Sequence, residues 1–148
     1  MELIKFNEDN VKLNVKSKNW EDAIRKSIGI LERNNNVDEN YIDHILKDIE
    51  EYGPYIIIHP GLAIPHSRPE NGVIEIGFGL ITLDTPVYFK NNTNPVEVLI
   101  SFAATDNEKH LDIIRLIVNI VQKGLIESIL QVQTVDELNL LLKGENIL

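Results

Sequence analysis

Cysteine is absent from the 148 residues, so no disulfide, thiolate metal site or cysteine nucleophile is available, and covalent chemistry must use another side chain. Basic residues are scarce: 14 Lys and Arg stand against 23 Asp and Glu, a net charge of −9. That balance repels nucleic acid and anionic membrane surfaces at long range and suits a partner with a basic face. No apolar run approaches the roughly 18 residues that a spanning helix needs. The first eight residues, Met1 to Glu8, lack a basic segment followed by a long apolar one, so no membrane insertion and a cytoplasmic location are expected. Three motifs are also missing. There is no Gly-x-Ser-x-Gly elbow and no Gly-x-x-x-x-Gly-Lys-Ser/Thr loop, and Gly77-Phe78-Gly79 falls inside an expected strand, which leaves nucleotide binding unsupported. No carboxylate pair for glycoside hydrolysis stands out among so many acids. What remains is ordinary globular material, 43% hydrophobic and 25% charged, long enough for one well-buried core and read as a single domain over residues 1–148.

Hydrophobic spacing and caps divide the chain. After a weakly alternating strand at Val11–Val15, Asn19 caps a helix with Trp20, Ala23, Ile24, Ile28 and Leu31 at helical spacing, ended by Asn34-Asn35-Asn36. Asp38 caps a second, with Tyr41, Ile42, Ile45, Leu46 and Ile49 on one face, stopped by Gly53-Pro54. Strands are expected at Tyr55–His59, Val73–Leu83, Val87–Phe89 and Val96–Ala104. Turns at Asn71-Gly72 and Asp84-Thr85-Pro86 and a loop over Lys90–Pro95 separate them. On the long strand, Ile74, Ile76, Phe78 and Leu80 share one face, and the other offers Gly77 and Gly79, small enough for close packing. Thr105-Asp106-Asn107-Glu108 opens a third helix running to Lys123-Gly124, and Thr134-Val135-Asp136-Glu137 opens a last one. The pattern predicts an α/β fold with helices flanking a sheet.

The stretch Gly53–Leu83 holds five of the eight glycines and four of the six prolines, with Arg68, Glu70 and Glu75 as its only charges. Its net charge of −1 leaves −8 for the rest, so it is the region least hostile to an anion. Without cysteine, the nucleophile candidates reduce mainly to the four histidines, because neutral imidazole is nucleophilic near neutral pH. His44, beside the apolar stripe of its helix, reads as a boundary or solvated residue. His59, before Pro60, reads as a structural hydrogen-bonding residue, with a supporting role near a site held open. His66 sits between Pro65 and Pro69 and two residues from Arg68; a functional residue and an idle loop histidine are both open readings. His110 follows the third helix's capping pattern and reads as a site residue or as a bland surface group. If the strands ending at His59 and Ala104 are neighbours with a common direction, their carboxyl ends bring His66 and His110 to one rim. Two imidazoles, an arginine and a helix N-terminus then make a phosphate site needing no metal. A metal site from His59, His66 and His110 matches no usual ligand spacing.

At Gly61-Leu62-Ala63-Ile64-Pro65-His66-Ser67-Arg68-Pro69-Glu70 the chain resembles the enzyme IIA components of the bacterial phosphoenolpyruvate-dependent sugar phosphotransferase system (PTS), fructose–mannitol superfamily. Gly53-Pro54-Tyr55-Ile56-Ile57 upstream and Phe102 to Leu111 downstream are similar to that family's other landmarks, in order, so the resemblance spans nearly the whole chain. The Gly-Pro-Tyr and Pro-His-x-Arg-Pro-Glu forms resemble most the ascorbate-type branch, with galactitol-type proteins close behind. The resemblance implies a mixed, roughly five-stranded sheet flanked by helices and a phosphotransferase that uses no cofactor. It implies that His66 is phosphorylated on Nε2, taking the group from the phosphohistidine of the carrier HPr and passing it to a IIB component that uses cysteine. His110 matches the family's second site histidine, orienting or stabilising the phosphate. Arg68 would pair with the phosphate or with the surroundings of HPr. Ser67, at a position where alanine or glycine is common in that family, stands with Arg68 as a candidate phosphate- or partner-binding residue. With no cysteine here, the IIB component and the membrane IIC component are expected on other chains. The competing reading is a regulatory module of the same fold, in which phosphorylation alters affinity for a non-transport protein. The sugar, bound by the membrane component, leaves little trace in such a chain.

Overall fold

In the computed structural model, residues 5–90 and 94–147 are described, without the side chains of Asn107 and Lys109. The chain start, residues 1–4, and the centre of the loop expected at Lys90–Pro95, residues 91–93, lie outside the described residues. Five strands, β1 (Val11–Val15), β2 (Ile57–His59), β3 (Gly61–Ala63), β4 (Gly77–Tyr88) and β5 (Pro95–Ala103), form one sheet in the order β1-β4-β5-β3-β2. The sheet is mixed: β1/β4 and β3/β5 are parallel, and β4/β5 and β2/β3 antiparallel.

Five helices cover it, α1 (Trp20–Arg33), α2 (Glu39–Tyr52), α3 (Asn107–Gln122), α4 (Ile126–Gln131) and α5 (Val135–Gly144). Their starts follow local chemistry. The side chains of Asn19, Asp38 and Thr134 accept from the backbone N–H groups of Asp22, Asn40 and Glu137 at 2.8, 2.8 and 3.1 Å, satisfying donors that a helix start leaves free. At Gly53 a φ of +87° ends α2, a conformation that glycine adopts without cost.

Alternation along the strands sends side chains to two layers. Leu62 and Ile64, with Val98, Ile100 and Phe102, pack with Ile113, Leu116 and Ile117 of α3 and with α4 and α5. Ala63, Leu99 and Ala103 face the other way, onto α1 and α2. Gly79 does allow close packing: a Cβ there would lie 3.0 Å from Ile30 of α1.

Four expectations change. The strand predicted over Val73–Leu83 starts only at Gly77, because Ile74 and Glu75 give their N–H groups to the Asn36 carbonyl and Ile76 gives its carbonyl to the Asn36 side chain. Ile74 is consequently exposed. Asp84-Thr85-Pro86 does not end a strand: β4 continues to Tyr88 with a shift of register between Thr82 and Val87, where a proline lacking an N–H is tolerated. Between Pro60 and Pro69, where no strand is expected, Gly61–Ala63 pairs as β3. Between the last two expected helices, α4 forms without a side-chain cap, held by buried Ile126 and Ile129.

Candidate functional site

The expectation that the strands ending at His59 and Ala104 are parallel neighbours is corrected by the topology. Strand β2 runs antiparallel to β3 at the sheet edge and is separated by it from β5. It is β3 that runs beside β5 in the same direction, and the chain leaving β3 carries His66 to the rim where β5 leads into α3. His59 pairs with Leu62, the central residue of β3, and its Nδ1 lies 3.0 Å from the carbonyl oxygen of Pro60. It is not among the residues lining the site cavity. His44 is exposed on α2.

His66, Ser67, Arg68 and His110 line one cavity of about 450 Å³. The half-buried His66 ring stacks on Phe102, centroids 4.6 Å apart and planes at 14°. His110, in the first turns of α3, has its ring centroid 6.2 Å from that of His66 and 5.2 Å from that of Phe102. Its backbone N–H bonds the carbonyl of Asp106 at 3.2 Å, which starts the helix one residue into the expected capping pattern.

Nδ1 of His66 stands 2.6 Å from the carbonyl oxygen of Ile64. A carbonyl can only accept, so Nδ1 carries the proton, and in the neutral ring Nε2 holds the lone pair. Burial, the largest influence, holds the imidazole below its usual value of 6.5; the Ile64 carbonyl works the other way, and the charge of His110 again lowers it. The ring is therefore neutral, and nucleophilic at Nε2, at neutral pH.

Several contributors to the site were not singled out in the sequence. Tyr55, a landmark of the resemblance, donates its hydroxyl to the His66 carbonyl at 3.3 Å and sets its ring edge-on to the imidazole at 6.4 Å. Burial and the nearby Asp48 carboxylate push its phenol up to about 12. Tyr41 is fully buried, its phenol likewise pushed up to about 12 by burial, and its hydroxyl meets Ser67 and Phe102. A tyrosine on an apolar helix face is a usable signal, since a buried phenol usually finds a hydrogen-bond partner. Ser67 Oγ accepts from Asn71 Nδ2 at 2.9 Å, a local structural bond. Arg68 is exposed at the cavity mouth. Among the described residues, no three or more His, Asp or Glu side chains gather to hold a metal ion.

Residues 5–144 match the family model described as phosphoenolpyruvate-dependent sugar phosphotransferase system, EIIA 2. The chain belongs to this family. As a PTS EIIA protein it has a phosphoryl-carrier role in a sugar phosphotransferase system. It is 38% identical over 115 residues to the ascorbate-specific PTS system EIIA component of Escherichia coli K12, covering 76% of this chain and 75% of that one. A PTS IIA protein (PtxA) of Streptococcus mutans has the same fold, with TM-score 0.86 and 32% identity over 93% of this chain and 88% of that one. In fold alone the chain is also similar to the E. coli mannitol enzyme IIA solved in complex with phosphorylated mannitol enzyme IIB, with TM-score 0.80 and 24% identity, covering 95% and 98% of the two chains. Among the described residues of this PTS EIIA protein, no helix is long and apolar enough to cross a membrane.

Proposed function

We propose that this chain carries the phosphoryl group on Nε2 of His66, accepting it from the phosphohistidine of HPr and delivering it to a cysteine of a IIB component, which works with a membrane IIC component in sugar uptake. The observation that carries this is the 2.6 Å contact between His66 Nδ1 and the Ile64 carbonyl. It presents a single tautomer, with the lone pair on the nitrogen that must attack. The Nε2 pair forms the new N–P bond while the P–N bond of the donor breaks and its electrons return to the donor imidazole. His66 then bears a positive ring, whose Nδ1–H remains on the Ile64 carbonyl and is stabilised by it. A cysteine thiolate of IIB attacks phosphorus next, and the ring leaves as the neutral tautomer it was before.

In this scheme an N–H of His110 donates to a phosphoryl oxygen, and the exposed Arg68 guanidinium at the mouth adds positive charge during docking. The added charge of about −1.5 to −2, judged from phosphorylated hydroxyls, is thus stabilised by few groups, which favours onward transfer over a trapped state. Similarity to an ascorbate-specific EIIA component makes a IIB protein of that type the first acceptor to test.

The test is phosphorylation by phospho-HPr followed by mass spectrometry, then addition of IIB. The wild-type chain gains one phosphoryl group and loses it to IIB. His66→Ala gains none and stays folded. His110→Ala still accepts, about 10²- to 10³-fold more slowly, the usual loss for one transition-state donor. A singly phosphorylated His66→Ala protein removes His66 from the mechanism. A phospho-protein that no IIB discharges points instead to a regulatory module.

A further inference from the structure

Beyond Ala63, the parallel pairing of β3 with β5 continues in register. Leu62 and Ala63 face Val98 and Leu99, and the same offset places His66 opposite Phe102, where the two rings stack. In a parallel ladder one residue bonds, through its N–H and its C=O, to the residues on either side of its partner. The first of these bonds is present: Phe102 N–H donates to the Pro65 carbonyl at 3.2 Å. The second, from Ser67 N–H to the Phe102 carbonyl, is replaced. Ser67 N–H donates to the Tyr41 hydroxyl at 2.8 Å, and that hydroxyl donates to the Phe102 carbonyl at 2.8 Å. The Ser67 carbonyl lies farther from the same hydroxyl, at 3.2 Å.

Tyr41 comes from α2, in the layer opposite that of His66, Phe102 and α3. Its hydroxyl holds the ladder open on the C-terminal side of His66 while the bond at Pro65 holds it closed on the other. The backbone of the histidine is therefore pinned between one direct bond and one spaced bond, both to the residue whose ring supports the imidazole. Tyr41 does not line the cavity, so it has no access to a phosphoryl group.

We propose that Tyr41 is a positioning residue for phosphoryl transfer, its hydroxyl serving as a spacer inserted between Ser67 and Phe102 that sets the pose of the His66 imidazole. The proposal rests on His66 being the phosphoryl carrier. Without the hydroxyl, Ser67 N–H and the Phe102 carbonyl either close onto each other, re-seating the loop, or stay buried and unpaired; both alter the ring's setting.

The test is Tyr41→Phe, with kcat and KM measured against phospho-HPr and the His66 ring followed by ¹⁵N NMR in the unphosphorylated protein. The expected result is a fall in kcat of about 10- to 100-fold, the scale of a small misplacement of a reacting group, with KM unchanged and with shifted His66 ring signals and titration midpoint. Wild-type kcat, or a lowered kcat with wild-type ring signals, overturns it. Should Tyr41→Phe not fold, 2,3,5-trifluorotyrosine at position 41 carries the test, because its more acidic phenol loses its proton in mild alkali and can no longer donate to Phe102. Transfer should then decline with rising pH where the wild type does not, and identical profiles overturn the proposal. If the wild type takes no phosphate on His66, the carrier reading fails, while the ring signals still decide whether Tyr41 sets the imidazole.

Discussion

His66 is defined by one short bond and one stacked ring. The Ile64 carbonyl fixes its tautomer, and the Phe102 face fixes its plane. Its depressed titration has a definite sign. Burial dominates over the opposing Ile64 carbonyl, and the charge of His110 adds to the depression. Acceptance requires the neutral ring, so the rate of phosphorylation should fall with decreasing pH only below the lowered midpoint, which lies under 6.5. NMR titration of the imidazole should give the same midpoint, and His110→Ala should move it upward by removing a nearby charge. A midpoint at or above 6.5 contradicts this account. Stability follows by linkage: between the lowered midpoint and 6.5 the unfolded chain binds more protons than the folded one, so stability rises with pH across that window. Of these features the sequence showed the histidines and the flanking prolines. The tautomer depends on a carbonyl two positions away and is local; the stacking partner, Phe102, is far along the chain and is not.

Among the elements, the segment before β4 shows how one residue, Asn36, overrides strand propensity through its backbone carbonyl together with its side-chain amide. Asn36, following α1, takes the N–H groups of Ile74 and Glu75 on its carbonyl and donates its amide to the Ile76 carbonyl at 3.1 Å. Gly77 leaves the room for it, since a Cβ there would come within 2.2 Å of the Asn36 side chain. Gly77→Ala should therefore displace the amide and leave the Ile76 carbonyl without its partner, costing about 1–3 kcal/mol. Thermal unfolding should register this as a fall of several degrees, at about 2–4 °C per kcal/mol for a chain of this size. An unchanged melting temperature would show that Asn36 relaxes freely. Capped helices with apolar stripes were legible in advance because their signals are local: cap, period and stop lie within the element. Strand β3 and helix α4 were not, because three and six residues carry too little periodicity, and their partners, Val96 to Leu99 for β3 and the core beside α4, are distant in sequence.

For the molecule as a whole, the site is a junction between layers. His110 arrives on α3 from one face of the sheet and Tyr41 on α2 from the other, and they flank the rim where the chain leaving β3 meets the end of β5. Of the net charge of −9, −8 lies outside the Gly53–Leu83 stretch, a distribution that would attract a carrier with a basic rim while leaving the stretch around the proposed phosphate site nearly neutral. Raising ionic strength from about 0.01 to about 0.15 M shortens the screening length from about 30 to about 8 Å. The second-order rate of transfer from phospho-HPr should fall severalfold over that range, with the first-order step inside the complex unchanged. A rate indifferent to salt excludes charge steering.

By itself the sequence determined the four helices that carry local start signals, the acidic balance, the absence of thiol chemistry and the loop in which a candidate histidine stands between prolines, because composition, caps and short motifs act over a few residues. It also carried the family resemblance, whose landmarks run in order along the chain. Only the tertiary structure decided which strand lies beside β5, that His59 stays out of the cavity while His110 enters it, and that a tyrosine from the far layer replaces a rung of the ladder beside His66. Each of these depends on strand order and register, which are settled by packing between residues far apart in the chain.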